Sequence, residues 1–127
     1  MQLGELFQSA DWKQEKHSPV VEAEKMEGLV KVRVSVGKEI PHPNTTEHHI
    51  AWMEVYFLPE GEKFPYQIGR CEFTSHGALA QGPNTSTVYT EPVVEMYFKT
   101  DKPGTILASS YCNIHGLWQS FNELTVD

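Results

Sequence analysis

At 127 residues the chain has the length of one domain, enough to bury a hydrophobic core without disulfide or metal staples. Ten Lys and Arg against 17 Asp and Glu give a formal charge of −7, which argues against a basic face for a phosphate backbone and hence against a nucleic-acid partner. No window approaches the roughly 20 apolar residues that span a bilayer, and residues 1–17 lack a basic start followed by an apolar stretch, so the sequence reads as cytoplasmic with no membrane partner.

In chain order, Leu3–Ser9 carries the single helical pattern, and Val20–Glu24 is the first strand candidate. Leu29–Val36 gives the clearest strand signal: Val30, Val32, Val34 and Val36 alternate with Lys31, Arg33 and Ser35 at the period of a half-buried strand. Ile50–Leu58, Tyr66–Ser75, Val93–Thr100 and Thr105–Cys112 are rich in β-branched and aromatic residues at strand length, and Leu117–Val126 is a weaker candidate. Met26-Glu27-Gly28, Pro59-Glu60-Gly61, Gly82-Pro83-Asn84 and Asp101-Lys102-Pro103-Gly104 supply Gly or Pro where the backbone must reverse. This punctuation predicts an all-β chain, an immunoglobulin-like antiparallel β-sandwich of about seven strands forming one domain over residues 1–127.

The polar stretches hold His and Cys in a pattern that a sandwich core does not need. Cys112-Asn113-Ile114-His115 is a Cys-x-x-His, a spacing that lets thiolate and imidazole reach one ion from a single turn. Upstream, the run from Ile40 to His49 places His42, His48 and His49 in a proline-braced loop leading into a strand, and His17 stands just before the first strand beside Glu15 and Lys16. His48 and His49 are adjacent and point to opposite faces if the strand begins there, and parity does not say which one faces the site. His76, before Gly77, reads as a turn residue; Cys71 reads as a small buried hydrophobe. Trp12, Trp52 and Trp118 read as core or subunit-contact residues, and Glu15-Lys16 taken alone is a hydrated charge pair.

Donor counting narrows the metal. A closed structural zinc site with Cys-x-x-His needs further cysteines, and only Cys112 is well placed, since Cys71 shares a strand face with Gly69 and Phe73; both thiols are expected to stay reduced. A copper-binding β-sandwich electron-transfer protein is the alternative, with two His and one Cys, but it leaves histidines over. One thiolate with several neutral imidazoles suits iron, with a position left for a small oxygen ligand.

The segments Glu15-Lys16-His17, Gly37–His49, Tyr56–Gly61, Gly82–Ser86 and Ser110–Trp118, in this order, resemble the one-iron, neelaredoxin-type superoxide reductases of the desulfoferrodoxin iron-binding family. The resemblance implies one Fe2+/Fe3+ per chain, with His17, His42, His48 and His115 equatorial and Cys112 axial. It selects His48 over His49. It also implies a carboxylate, Glu15, that can take the sixth position of the ferric centre, and a cation, Lys16, near the open position, with Lys38 a second candidate. Amides of Ile114 and His115 are expected to donate to the Cys112 sulfur. The implied activity is one-electron reduction of superoxide to hydrogen peroxide without release of oxygen. A rubredoxin-like electron donor and a homotetramer are the implied partners.

Overall fold

In the computed structural model, which describes residues 1–125, seven strands form two antiparallel sheets: β1 (Val20–Met26), β2 (Leu29–Ser35), β3 (Ile50–Pro59), β4 (Tyr66–Glu72), β5 (Val93–Phe98), β6 (Gly104–Cys112) and β7 (Gly116–Leu124). All seven expected strands are present. Val126, the end of the last expected strand, lies outside the described residues, and the helical expectation at Leu3–Ser9 reduces to a single 3-10 turn at Leu3–Leu6.

The sheets are ordered β1-β2-β5 and β4-β3-β6-β7. In the seven-stranded constant-type immunoglobulin arrangement the fourth strand joins the sheet of the first, second and fifth; here β4 pairs with β3 instead. Alternation along the strands makes the core. Val30, Val32 and Val34 of one sheet and Met53, Val55, Phe57, Ile106 and Ala108 of the other form one buried cluster, while Lys31, Arg33, Glu54 and Tyr56 face outward. No helix among the described residues is long and apolar enough to cross a membrane.

The pairing register decides which loops meet. Val20 at the start of β1 lies opposite Ser35 at the end of β2, Ile50 opposite Cys112, and Cys112 opposite Gly116. The segment before β1, the β2–β3 loop and the β6–β7 hairpin therefore share one end of the sandwich. The β4–β5 connection joins them there, because Glu72 pairs with Trp52 near the start of β3 and Val93 pairs with Ser35. Loops of a rigid sandwich that cluster in this way are the usual place for binding residues.

Ile106 sits fully buried at the centre of this core. Ile106→Ala is expected to destabilise the protein by about 2–5 kcal/mol through lost burial and the cavity left behind, read as a lower urea midpoint at unchanged slope.

Candidate metal centre

Cys112 owes its position to strand parity. Ile106, Ala108, Ser110 and Cys112 are alternate residues of β6 and all face inward, so the thiol is the last core position before the hairpin and is fully buried. The hairpin then turns over Asn113, Ile114 and His115, closing at Gly116 with φ 83°, a conformation open to glycine. This tight turn brings Nδ1 of His115 to 3.9 Å from Sγ of Cys112, and the amide of His115 donates to that sulfur at 3.3 Å. No counterpart from Ile114 is present among the described hydrogen bonds, so one of the two expected amides serves.

The β2–β3 loop reaches the same place by a different device. Odd residues Met53, Val55 and Phe57 are buried along β3, and extending that parity backward would send His49 inward. A bulge intervenes: Ile50 pairs with Cys112 and Trp52 with Tyr111, leaving Ala51 as the extra residue, so that Ile50 as well as Met53 is buried. Upstream of the bulge the even positions face in, and His48 falls in with them. His49 turns to other work: its Nδ1 donates to the Thr45 carbonyl at 2.9 Å, its amide donates to Oδ1 of Asn113 at 2.8 Å, and its carbonyl accepts from the Asn113 amide at 3.2 Å.

His17 arrives on the segment that precedes β1. Gln8 bonds along the backbone of β7, and the Ala10 amide donates to Ser18 Oγ at 3.1 Å, so residues 8–18 are laid across the sandwich end. The Glu15 carboxylate accepts from Nδ1–H of His17 and from the amides of His17 and Ser18, at 2.6 and 3.0 Å. Burial works to raise the Glu15 pKa, and these bonds from the His17 ring and backbone outweigh it, holding the group ionised below its usual 4.5. A carboxylate that can only accept keeps the His17 proton on Nδ1, leaving the Nε2 lone pair free to face the site.

One donor atom each from His17, His48, Cys112 and His115 lies within 4.8 Å of every other. His42 completes the ring of imidazoles, with its centroid 4.8 Å from that of His17 and 4.9 Å from that of His48. Its Nδ1 donates to the Pro43 carbonyl at 2.6 Å, so Nε2 is again the free atom. Nε2 of His42 and Nε2 of His48 are both buried with no hydrogen-bond partner. Nε2 of His17 and Nδ1 of His115 stand 3.1 Å apart. Two nitrogens about 2.1 Å from one cation and at right angles would be separated by about 3.0 Å, and opposite ones by about 4.2 Å. Orphaned lone pairs, spacing and a thiol beside four imidazoles thus fit a single soft-to-borderline metal ion.

The chain matches the Desulfoferrodoxin family over residues 9–121. It belongs to the desulfoferrodoxin family. Among relatives, a superoxide reductase of Pyrococcus furiosus is 62% identical, with 98% of this chain and 99% of that protein aligned. A neelaredoxin of Megalodesulfovibrio gigas is 53% identical over 94% of this chain and 95% of its own. The reduced-form structure of a superoxide reductase (neelaredoxin) from Archaeoglobus fulgidus superposes with a TM-score of 0.93 at 63% identity, covering 95% of this chain and 99% of that one.

All five expected donors therefore converge. Lys16 adjoins His17 in the chain and has no carboxylate partner among the described residues. Lys38 is otherwise engaged: Nζ is 2.8 Å from Glu22 and 5.6 Å from the centre of the Trp12 ring.

Trp118 is the buried residue expected, with one contact that was not foreseen, and two other expectations need correction. Trp118 is buried, but its indole stacks on His17 with ring centres 4.8 Å apart and planes 11° from parallel, and Nε1 donates to the His115 carbonyl at 3.3 Å. It packs against the proposed donors themselves. Its place two residues beyond Gly116, on the inward parity of β7, was the available signal. Trp12 and Trp52 are half-buried and carry cations over their rings, Lys13 and Lys38 over Trp12 and Arg70 over Trp52, so neither is a core residue. His76 is more than a turn residue: it is buried, and its two ring nitrogens face Asn44 Oδ1 and the Phe73 carbonyl, of which the single proton of the neutral ring serves one.

Burial depresses the pKa of His42 to about 4, with the charges of His17, His48 and Lys16 adding to the effect against the Pro43 carbonyl; burial likewise lowers those of His48 and His76 below 6.5. The unfolded chain then binds more protons than the folded one between pH 6.5 and the folded values, so stability rises with pH across that window. Protein treated with chelator is expected to lose stability as pH falls from about 6.5 toward 4, seen as a decreasing urea midpoint. A midpoint flat over that range would mean that these rings are no harder to protonate in the fold than outside it.

Proposed function

We propose that this chain is a superoxide reductase in which His17, His42, His48 and His115, with the thiolate of Cys112, hold a single iron ion. The observation that carries the reading is the meeting of four imidazoles and one buried thiol at one sandwich end, with two imidazole nitrogens buried and unpaired. High identity over nearly the whole length to superoxide reductases supports it. Four imidazoles also exceed the two His and one Cys of a copper electron-transfer site, which leaves that alternative without support.

Iron held by these five residues would supply the single electron, at the ferrous level, with which one superoxide and two protons become one hydrogen peroxide and no oxygen. A rubredoxin-like protein returns the electron in a separate encounter. The chain's own residues set the conditions. Glu15 acts first as a positioning residue, fixing the tautomer and orientation of His17. The His115 amide, donating to Sγ, moderates how strongly the Cys112 sulfur donates.

Superoxide is an anion and the chain carries −7, so attraction by the whole molecule cannot concentrate it. Lys16, next to His17 in the chain and without a carboxylate partner among the described residues, is the local remedy, its field acting within the Debye length of about 8 Å at physiological salt. Both cysteines are free, in keeping with a reducing cytoplasm. Exposed Phe121 on the open face of β7 suits the homotetramer implied by the resemblance.

The deciding experiment is a superoxide pulse on the anaerobically reduced, iron-loaded protein. One hydrogen peroxide per iron with no oxygen is expected, and oxygen evolved in step with peroxide would identify a dismutase instead. Lys16→Ala should lower the second-order rate by about tenfold and flatten its dependence on ionic strength. An unchanged rate and slope would remove Lys16 from substrate capture.

A further inference from the structure

The β4–β5 connection, residues 73–92, contributes no candidate donor, yet it grips the loop that carries His42 and His48. Its hub is His76, only 8% exposed. The His76 ring lies flat on that of His49, with centroids 3.5 Å apart and planes 5° from parallel. One ring nitrogen, Nδ1, is 3.0 Å from Oδ1 of Asn44, and the other, Nε2, is 2.7 Å from the carbonyl of Phe73. The orientation of Asn44 is fixed from its far side, where Nδ2 donates to the Thr90 carbonyl at 3.0 Å.

The main chain of His76 adds a third hold, its carbonyl accepting from Thr46 Oγ at 2.6 Å. Asn84, from the same connection, takes the other side of that residue: Oδ1 accepts from the Thr46 amide at 2.9 Å, and the Asn84 amide donates to Thr46 Oγ at 3.1 Å. Asn44, Thr46 and His49 are thus all fastened to this connection, and they interleave with His42 and His48. His49 is clamped on its opposite side by Asn113 of the Cys-x-x-His hairpin. Every ring contact described for His76 is therefore either to the donor loop or to Phe73, just beyond the end of β4.

We propose that His76 is a positioning residue for the candidate centre: its stack on His49, the bond its carbonyl accepts from Thr46 and the contact of its ring with Asn44 hold residues 42–49 in the conformation that presents His42 and His48 together. The inference rests on reading those two histidines as metal donors. It goes beyond that reading in assigning the β4–β5 connection as a brace that preorganises the loop. Without the brace, binding the ion would have to order the loop as well, and affinity would fall by the ordering cost.

The test uses the full-length protein in its metal-free form. Amide hydrogen exchange should quicken by about tenfold or more at Thr46, His48 and His49 in His76→Ala, with protection in β3 and β6 unchanged. Affinity for Co2+, measured in competition with a chromophoric chelator, should weaken by about tenfold, within the usual range for residues that support ligands. His76→Gln, whose amide can still donate to Asn44 or Phe73, should recover part of both effects. Unchanged loop exchange and Co2+ affinity in a folded variant would overturn the proposal, and so would protection lost throughout the sandwich, which would make His76 a residue of the fold at large. Wild-type protein that bound neither iron nor Co2+ would sink the metal centre itself, and loop exchange would then decide the brace on its own.

Discussion

The buried, unpaired Nε2 atoms of His42 and His48 are the constraint around which the sandwich end is organised. A buried polar atom with no partner costs about 1–3 kcal/mol, and a folded chain retains two side by side only when something else repays the cost. Water or a neighbouring carbonyl is the ordinary solution, and the Pro43 carbonyl does serve the opposite edge of the His42 ring. On the inner edge the neighbours are other imidazoles and the Cys112 thiol, none of which is a committed donor once Glu15 holds the His17 proton on Nδ1. A cation satisfies all of these lone pairs at once. Local charge balance points the same way, because bringing protonated rings together would require several positive charges within about 5 Å in a partly buried space. Neutral rings aimed at a common point are the state that the fold favours.

The fold meets this constraint with two kinds of support. For Cys112 it uses the sheet itself: the core alternation of β6 fixes the sulfur with no help from a loop. For the histidines it uses loops, which have no such periodicity, and each is fastened by side chains of its neighbours. Glu15 ties the His17 segment, Asn113 ties the β2–β3 loop to the hairpin, and Trp118 leans on His17 while holding the carbonyl of His115. Residues between the proposed donors therefore matter as much as the donors themselves, since a loop residue left free would lose in entropy what the ion gains in bonds. The bulge at Ala51 links the two kinds of support by switching inward parity where strand becomes loop.

This division explains what the sequence made legible. Strands showed through because their signal is local: Val30, Val32, Val34 and Val36 alternate within eight residues, and a Gly or Pro marks each reversal. Cys112 and His115 were legible because three residues of spacing on one turn confine both to one neighbourhood. His17, His42 and His48 became legible only through motif resemblance, since nothing local to them says that three loops meet; that follows from register pairs such as Val20 with Ser35 and Ile50 with Cys112. The choice between His48 and His49 lay beyond periodicity because a bulge leaves no distinctive residue in Ile50-Ala51-Trp52. His76 was misread, and the contact of the buried Trp118 with the site was missed, for a related reason: each was judged by its sequence neighbours, and each packs on a ring more than 25 positions away, His49 and His17.

Electrostatics separates the two lysines that composition alone would treat alike. Lys38 stands only four residues before His42, but the Glu22 carboxylate at 2.8 Å neutralises its field at the site, and the Trp12 ring shares what remains. Lys16 is adjacent to His17 and has no such partner among the described residues, so its positive charge adds a minor part to the lowering of the His42 and His48 pKa values that burial mainly causes. Glu15, its immediate neighbour, is spent on the His17 ring and the amides beyond it. Within a chain of net charge −7, Lys16 therefore offers a small anion a local positive charge next to His17, where the neighbouring carboxylate is already hydrogen-bonded elsewhere. The same hydrogen bonds that orient His17 keep Glu15 out of a salt bridge with Lys16, so the proposed donor geometry and the proposed capture of the anion both depend on one carboxylate.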